Sequence, residues 1–255
     1  MKKYELTSET KVINGVELHR IKALKSFGNI KEGDLGGWIE SEKNLSQDGD
    51  AWVGENAAVS GNATISGNAW VCGNATISGN ATVRGNAIIY ENATISGNAT
   101  VEDNAKVYGN AWVCGNATIS GNAWVYGIAT ISGNATVRGN ATIYENATVG
   151  GNAMVGENAT VGGNATISGD AKVGGKEDYI VFKNWWSSGR YFTWTRSNNK
   201  WKVGCFMGTG EELIAKAYKD SEKSGREYER VVKYVNDILK EEEDNDNGNR
   251  NKCED

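Results

Sequence analysis

The stretch GNAWVYGIATISGNATVR, Gly121 to Arg138, holds three six-residue units of one pattern. From Gly49 to Gly174 the chain is 21 such hexapeptides without an insertion. The third position is always Ala and the fifth always Val or Ile. Residues two apart on a strand share a face, so positions three and five point inward and four and six outward. The first position is mostly Gly and the second mostly Asn, which marks a tight corner after each strand. Both residue types are expected to take positive φ there. Each unit is one short strand plus one corner, and the chain winds into a solenoid.

The outward positions set the number of units per coil. Tyr90, Tyr108, Tyr126 and Tyr144 recur every 18 residues, three units apart, with Cys72 one step earlier. An 18-residue coil stacks them on one face, beside Trp52, Trp70 and Trp124 at the fourth position. A second face is rich in serine (Ser60, Ser78, Ser96, Ser132), and a third carries Arg84, Glu102 and Arg138. Two- or four-unit coils would scatter the tyrosines. TVRGNAIIYEN at Thr82 returns as TVRGNATIYEN at Thr136, three whole coils on, as a duplication would leave it. AWVCGNATISGN at Ala69 and Ala111 is displaced by 42 residues, not a whole number of coils, so Cys72 and Cys114 fall on different faces. Position two is Asn eighteen times, Asp twice and Ile once, and that one Ile, Ile128, gives up the side chain's hydrogen bonds.

These hexapeptides resemble the left-handed parallel β-helix of the hexapeptide-repeat superfamily. That resemblance implies a mainly β fold of seven three-sided left-handed coils over residues 49–175. The run NGVELHRIKAL…GDLGGWIESEKNLSQDGDAWV also resembles a group of bacterial and prophage-encoded β-helix proteins of the YdcK type, some labelled as transferases. Residues 1–48 read as the N-terminal cap: a hairpin turning at Asn14-Gly15, then Trp38, Ile39 and Leu45 closing the first coil. Open ends need such covers because a bare sheet edge invites pairing.

Residues 176–240 change character. DYIVFKNWW, RYFTWTRS and KWKVGCF predict three strands, and capping boxes at Thr209–Glu212 and Ser224–Glu227 predict two helices, a small βββαα unit. The second helix carries an apolar stripe from Tyr228 to Leu239. Residues 241–255, with seven acidic and two basic groups, read as a disordered tail.

Composition narrows the class. No apolar run approaches a membrane span and no signal-peptide core follows the N-terminal lysines, so the expectation is a cytoplasmic chain with reduced cysteines. In that compartment the Asn-Ala-Thr triplets need a structural role instead of glycosylation. The net charge of −5 conceals a local excess over residues 176–240, thirteen basic against nine acidic groups, which could draw an anion.

Chemistry has few residues to use. Hexapeptide-repeat acyltransferases, as the resemblance implies, are trimers with a histidine base on a coil or protruding loop. Here the only histidine is His19, in the hairpin, and no loop interrupts the coils. One histidine cannot build a zinc site, and the cysteines lack CxxC spacing, so no metal and no cofactor is expected. Two binding surfaces are the candidates. One is the aromatic face of the helix: Trp70, Tyr90, Tyr108, Trp124, Tyr126 and Tyr144. The other is the C-terminal unit, where alternation puts Arg190, Phe192, Trp194 and Arg196 on one strand face, near Lys200 and Lys202. Rings flanked by guanidinium groups suit a base with its phosphate, although packing against the helices accounts for the same rings. The resulting expectation is a non-catalytic binding or scaffold protein, phage or prophage encoded. It would be a dimer or trimer through the aromatic face, and would interfere with host defence by binding a nucleotide signal or a defence protein. A transferase and a self-assembling rod are the alternatives.

Overall fold

The computed structural model describes residues 2–250. They form two compact units. One runs to Ile180 and includes Thr195–Asn198; the other comprises Val181–Trp194 and the chain from Asn199.

The first unit is a parallel β-helix. Strands β1 (Tyr4–Ile13), β2 (Val16–Ala23) and β3 (Leu35–Ile39) precede 21 two-residue strands, β4–β24, which run from Trp52–Val53 to Lys172–Val173. The 21 strands sort into three sheets in which every strand pairs with the one 18 residues on, as Trp70 does with Ile88 and Ile88 with Lys106. All 21 alanines of position three and all 21 Val or Ile of position five are buried, a thin core that stacking closes coil upon coil. Seven coils follow, and β1–β3 extend the serine-rich sheet at one end.

An additional turn lies before the first hexapeptide. Ile39 pairs with Val59 and Leu45 with Ile65, twenty residues apart instead of eighteen, which brings the solenoid to about eight turns. The two surplus residues fall between Leu45 and Val53, and they hide this turn from a search for six-residue periodicity. Trp38, Ile39 and Leu45 are buried at this end, where the sequence placed them.

The corners work differently from the expectation. Positive φ belongs to position one alone: the glycines, and also Glu55, Glu91, Asp103, Glu145 and Glu157. None of the position-two asparagines adopts it; they serve through their side chains, in ladders climbing the three corners. One runs Asn62, Asn80, Asn98, Asn116, Asn134, Asn152, with Nδ2 donating to the next Oδ1 at 2.8–3.2 Å. A non-glycine residue at positive φ is strained. Glu55, Glu91 and Asp103 gain a compensating bond, each carboxylate accepting from the backbone N–H of Gly73, Gly109 or Gly121 at 2.8–2.9 Å.

The direction of the inter-coil bonds gives the two ends opposite needs. The N–H groups of positions two, four and six donate to carbonyls of the following coil, as Trp52 N–H does to Ala69 O. The N-terminal edge therefore presents mostly carbonyls and the C-terminal edge mostly N–H groups, and each must be satisfied where it is buried. The N-terminal segments supply donors. Lys3 Nζ donates to Gly49 O and Ala51 O (3.2 and 2.9 Å), and Asn44 Nδ2 to Gly61 O and Ala63 O (3.0 and 2.8 Å). Lys3 is 1% exposed, and burial pulls its ammonium down to about 8. The other end receives acceptors: Ser197 Oγ from Lys172 N–H at 2.6 Å, and Asp178 Oδ2 from Gly174 and Gly175 N–H.

The second unit has a four-stranded sheet in the order β25 (Tyr179–Lys183), β26 (Tyr191–Thr195), β27 (Lys200–Val203), β28 (Phe206–Gly208), then α1 (Gly210–Asp220) and α2 (Glu222–Arg250). The sequence offered three strands. Gly204, at φ 56°, turns the chain inside KWKVGCF and makes two of the third. Thr209 caps α1 as read, accepting from Glu212 N–H at 3.2 Å while Glu212 bonds back to Thr209 N–H. The second box does not act. α2 begins earlier, with Ser221 Oγ accepting from Ser224 N–H, so Ser224 lies inside the helix. α2 also continues through residues 241–250, which the sequence assigned to a disordered tail; four glutamates and lysines at 240–243 are good helix formers, and an existing helix extends cheaply. Residues 251–255, with Cys253, lie outside the described residues.

Candidate functional site

The tyrosine ladder is as regular as the repeat that builds it. Ring centroids are 4.8 Å apart for Tyr90 and Tyr108, 4.9 Å for Tyr108 and Tyr126, and 5.6 Å for Tyr126 and Tyr144, all stacked. Coil spacing enforces this near-parallel arrangement. Trp124 meets Tyr108 edge-on at 6.3 Å, and Lys106 Nζ sits 4.7 Å over its ring. Trp70 lies on the same face, half-buried, while Trp52 is buried and meets Phe27 edge-on. The stripe stops at Gly162, where a Cβ would collide with the Tyr144 ring. Burial first, and then the neighbouring phenols, hold Tyr108 above the ordinary tyrosine range, and burial does the same to the Cys72 thiol. These groups are therefore neutral at physiological pH and offer surface, not charge.

Exposure is concentrated. Within the 21 hexapeptides, the exposed large apolar side chains are Trp112 (50%), Trp124 (42%) and Ile128 (56%), all inside one 17-residue span that also contains Tyr126. Trp124 and Tyr126 lie on the tyrosine face, Ile128 at the corner that follows, and Trp112 on the serine face reached through that corner. Trp112 Nε1 donates to Ser96 Oγ at 3.3 Å, leaving its ring outward. Sequence reasoning passed over Trp112 because it treated the face as the unit. A Trp beside Ile128, the one apolar residue at position two, was the available signal.

The C-terminal candidates divide. Phe192 and Trp194 are each 1% exposed. Phe192 packs against Phe182, Trp186 and Tyr228 at 5.2–6.1 Å, and Trp194 Nε1 donates to Asn199 Oδ1 at 2.8 Å. Both are buried, so neither can stack on a base, and Tyr228 of α2 packs on Phe192. Arg196 belongs to the first unit and donates from Nε to Glu177 O at 3.1 Å; Arg190 belongs to the second and is exposed. Lys200 and Lys202 are half-buried on β27.

Arg190 instead borders a cleft of about 620 Å³ within the second unit. The loop after β25, the β27–β28 turn, α1 and the first turns of α2 enclose it, and Lys216, Asp220, Ser224, Tyr228 and Cys205 also face it. Of these lining residues, the sequence marked only Arg190 as a binding candidate. Four separate segments supply them, and no periodic pattern announces such a meeting.

His19 lies in β2 with Nε2 3.9 Å from Glu17 Oε1, and it pairs along the strand with Thr10 and Ile39. Among the described residues no cluster of His, Cys, Asp and Glu could hold a metal, Cys72, Cys114 and Cys205 are free thiols, and no helix is long and apolar enough to cross a membrane.

The repeats of this geometry match one family, described as the YdcK beta solenoid repeat, at residues 57–73, 69–85, 75–91, 111–127 and 129–145. The chain is a β-helix protein of YdcK-type repeats. The YdcK-type matches fall within the coils and extend across the exposed Trp112–Ile128 span. Comparison with curated proteins gives no match.

Proposed function

We propose that this YdcK-type protein is a non-catalytic binding scaffold whose coils display an aromatic surface to a second copy of the chain, giving a homo-oligomer. One observation carries the reading: every exposed large apolar residue of the repeat falls in a single span, Trp112 to Ile128, next to a flat ladder of stacked tyrosines. Scattered apolar residues are ordinary on a soluble protein, but a patch is a contact site. Tyr and Trp suit such a contact because they bring large area with few rotatable bonds. The insertion-free coils give two copies a straight face to match along. The role in interfering with host defence, expected from the resemblance to prophage-encoded proteins, would be exercised by this assembled scaffold.

Mass photometry of the full chain, alone and with Trp112→Ser, Trp124→Ser and Ile128→Asn combined, tests the proposal. A dimer or trimer is expected for the unaltered chain and a monomer for the triple variant, with circular dichroism unchanged. A strict monomer across the concentration range would sink the reading.

A further inference from the structure

We propose that the cleft of the second unit binds a small organic anion, a molecule with one carboxylate or phosphate group on an apolar body. This goes beyond the scaffold reading and does not depend on the coils. Size is the first support: about 620 Å³ lies within the range of small-molecule sites, roughly 300–1,000 Å³.

Charge is the second. Arg190 and Lys216 both border the cleft, and among the described residues neither makes an ion pair or a side-chain hydrogen bond. Asp220 is the opposing carboxylate on the lining, so the cleft keeps an excess of one positive charge. A guanidinium fork and an ammonium together suit a carboxylate or a phosphate.

The third support is a pair of hydroxyls on the lining. Ser224 is 9% exposed and lines the cleft; its backbone N–H goes to Ser221, but its hydroxyl has no partner among the described residues. That hydroxyl is open to the cleft and can donate to an anion. Tyr228 stands beside it, 6% exposed, its oxygen accepting from Asn184 Nδ2 at 3.0 Å, which leaves its own proton to donate. Asn184 is itself fixed by Ser187, whose N–H and hydroxyl donate to its Oδ1 at 3.0 and 2.9 Å, so the phenol is held in place before any ligand arrives. Phe206 and Met207 supply the apolar wall. Two unpaired cations, two hydroxyl donors and an apolar wall describe one kind of occupant.

Isothermal titration of the full chain with phenyl phosphate and with benzoate, against benzyl alcohol, is the test. At least one of the two anions is expected to bind about tenfold more tightly than the neutral alcohol, and which one binds assigns the anionic group. Arg190→Gln with Lys216→Gln should weaken that binding about tenfold, and Ser224→Ala by a smaller factor, whereas Lys233→Gln on an exposed turn of α2 should not. Cys205 is a built-in reporter: the bound anion should slow its alkylation by iodoacetamide and leave Cys72 unaffected. Equal binding of the neutral alcohol, unweakened binding to the double variant, unslowed alkylation at Cys205, or no binding of either anion at about 20 mM would each overturn the proposal.

Discussion

The coils and the C-terminal unit hold themselves together in different ways. In the coils every residue repeats a task already done 18 positions earlier: Ala and Val or Ile inward, Asn into a ladder, Gly or an acidic residue at the corner. Contacts reach one coil up and one coil down, so stability adds up along an axis and no single side chain is a keystone. In the C-terminal unit the reverse holds. Phe192 alone meets Phe182, Trp186, Trp201 and Tyr228, residues from three strands or loops and a helix. One region distributes its core and the other concentrates it, and that contrast decides what each can do. A distributed core supports a long, uniform surface. A concentrated one can close around a cleft.

The contrast can be broken by substitution. Phe192→Ala should destabilise the C-terminal unit by about 3–5 kcal/mol, as truncation of a buried aromatic does. Chemical denaturation followed by near-ultraviolet circular dichroism should show the loss as an early transition, with the coil transition unmoved. A single shifted transition would mean that the two cores are one.

What the sequence disclosed follows the same division. The coils were legible because each position is sampled 21 times, so the inward pair, the three faces and the tyrosine stack could be read from spacing alone. Even there, single-copy features escaped. The turn carrying Ile39 and Leu45 is spaced by twenty residues, and the asparagines, read as backbone adaptors, work through their amides. In the C-terminal unit nothing is sampled twice. Alternation put Phe192 and Trp194 on one face, but it could not say that both would be buried, with Tyr228 packed on Phe192. The cleft was invisible for the same reason, since Arg190, Lys216 and Ser224 meet only through tertiary packing.

A second prediction concerns the sealed N-terminal edge, where a single residue does carry a special load. Lys3 has a folded pKa of about 8, below its ordinary value of 10.5, because burial disfavours the ammonium. The unfolded chain therefore binds more protons between those values, and stability from this group rises with pH across that interval. Tyr4 opposes the trend only from about pH 10 upward, since burial raises its phenol and the folded state then retains a proton the unfolded one loses. Between pH 8 and 9.5 the unaltered chain should gain about 1 kcal/mol relative to Lys3→Met, measured by urea denaturation at each pH. Equal pH slopes for the two proteins would show that Lys3 is not buried as described.

The smallest effect sharpens the comparison from within the coils. Ile128→Asn restores the amide column at that corner and should stabilise the chain by about 0.5–1 kcal/mol, read as a higher midpoint in thermal melting. Ile128 keeps its backbone bond to Glu145 O at 2.9 Å, so the substitution changes the side chain alone. A stabilised variant with weaker self-association would place Ile128 in the contact surface, whereas a destabilised one would mean that the ladders contribute little.

Hydrogen exchange of the full chain, resolved by peptide mass spectrometry, tests most directly the claim that the two regions are separately held. The account predicts long, near-uniform protection of the Val and Ile amides from coil to coil, and distinct, shorter protection across β26, β27 and α2 that collapses in Phe192→Ala while the coils keep theirs. Protection that falls in the coils and the C-terminal unit together in that variant would contradict it.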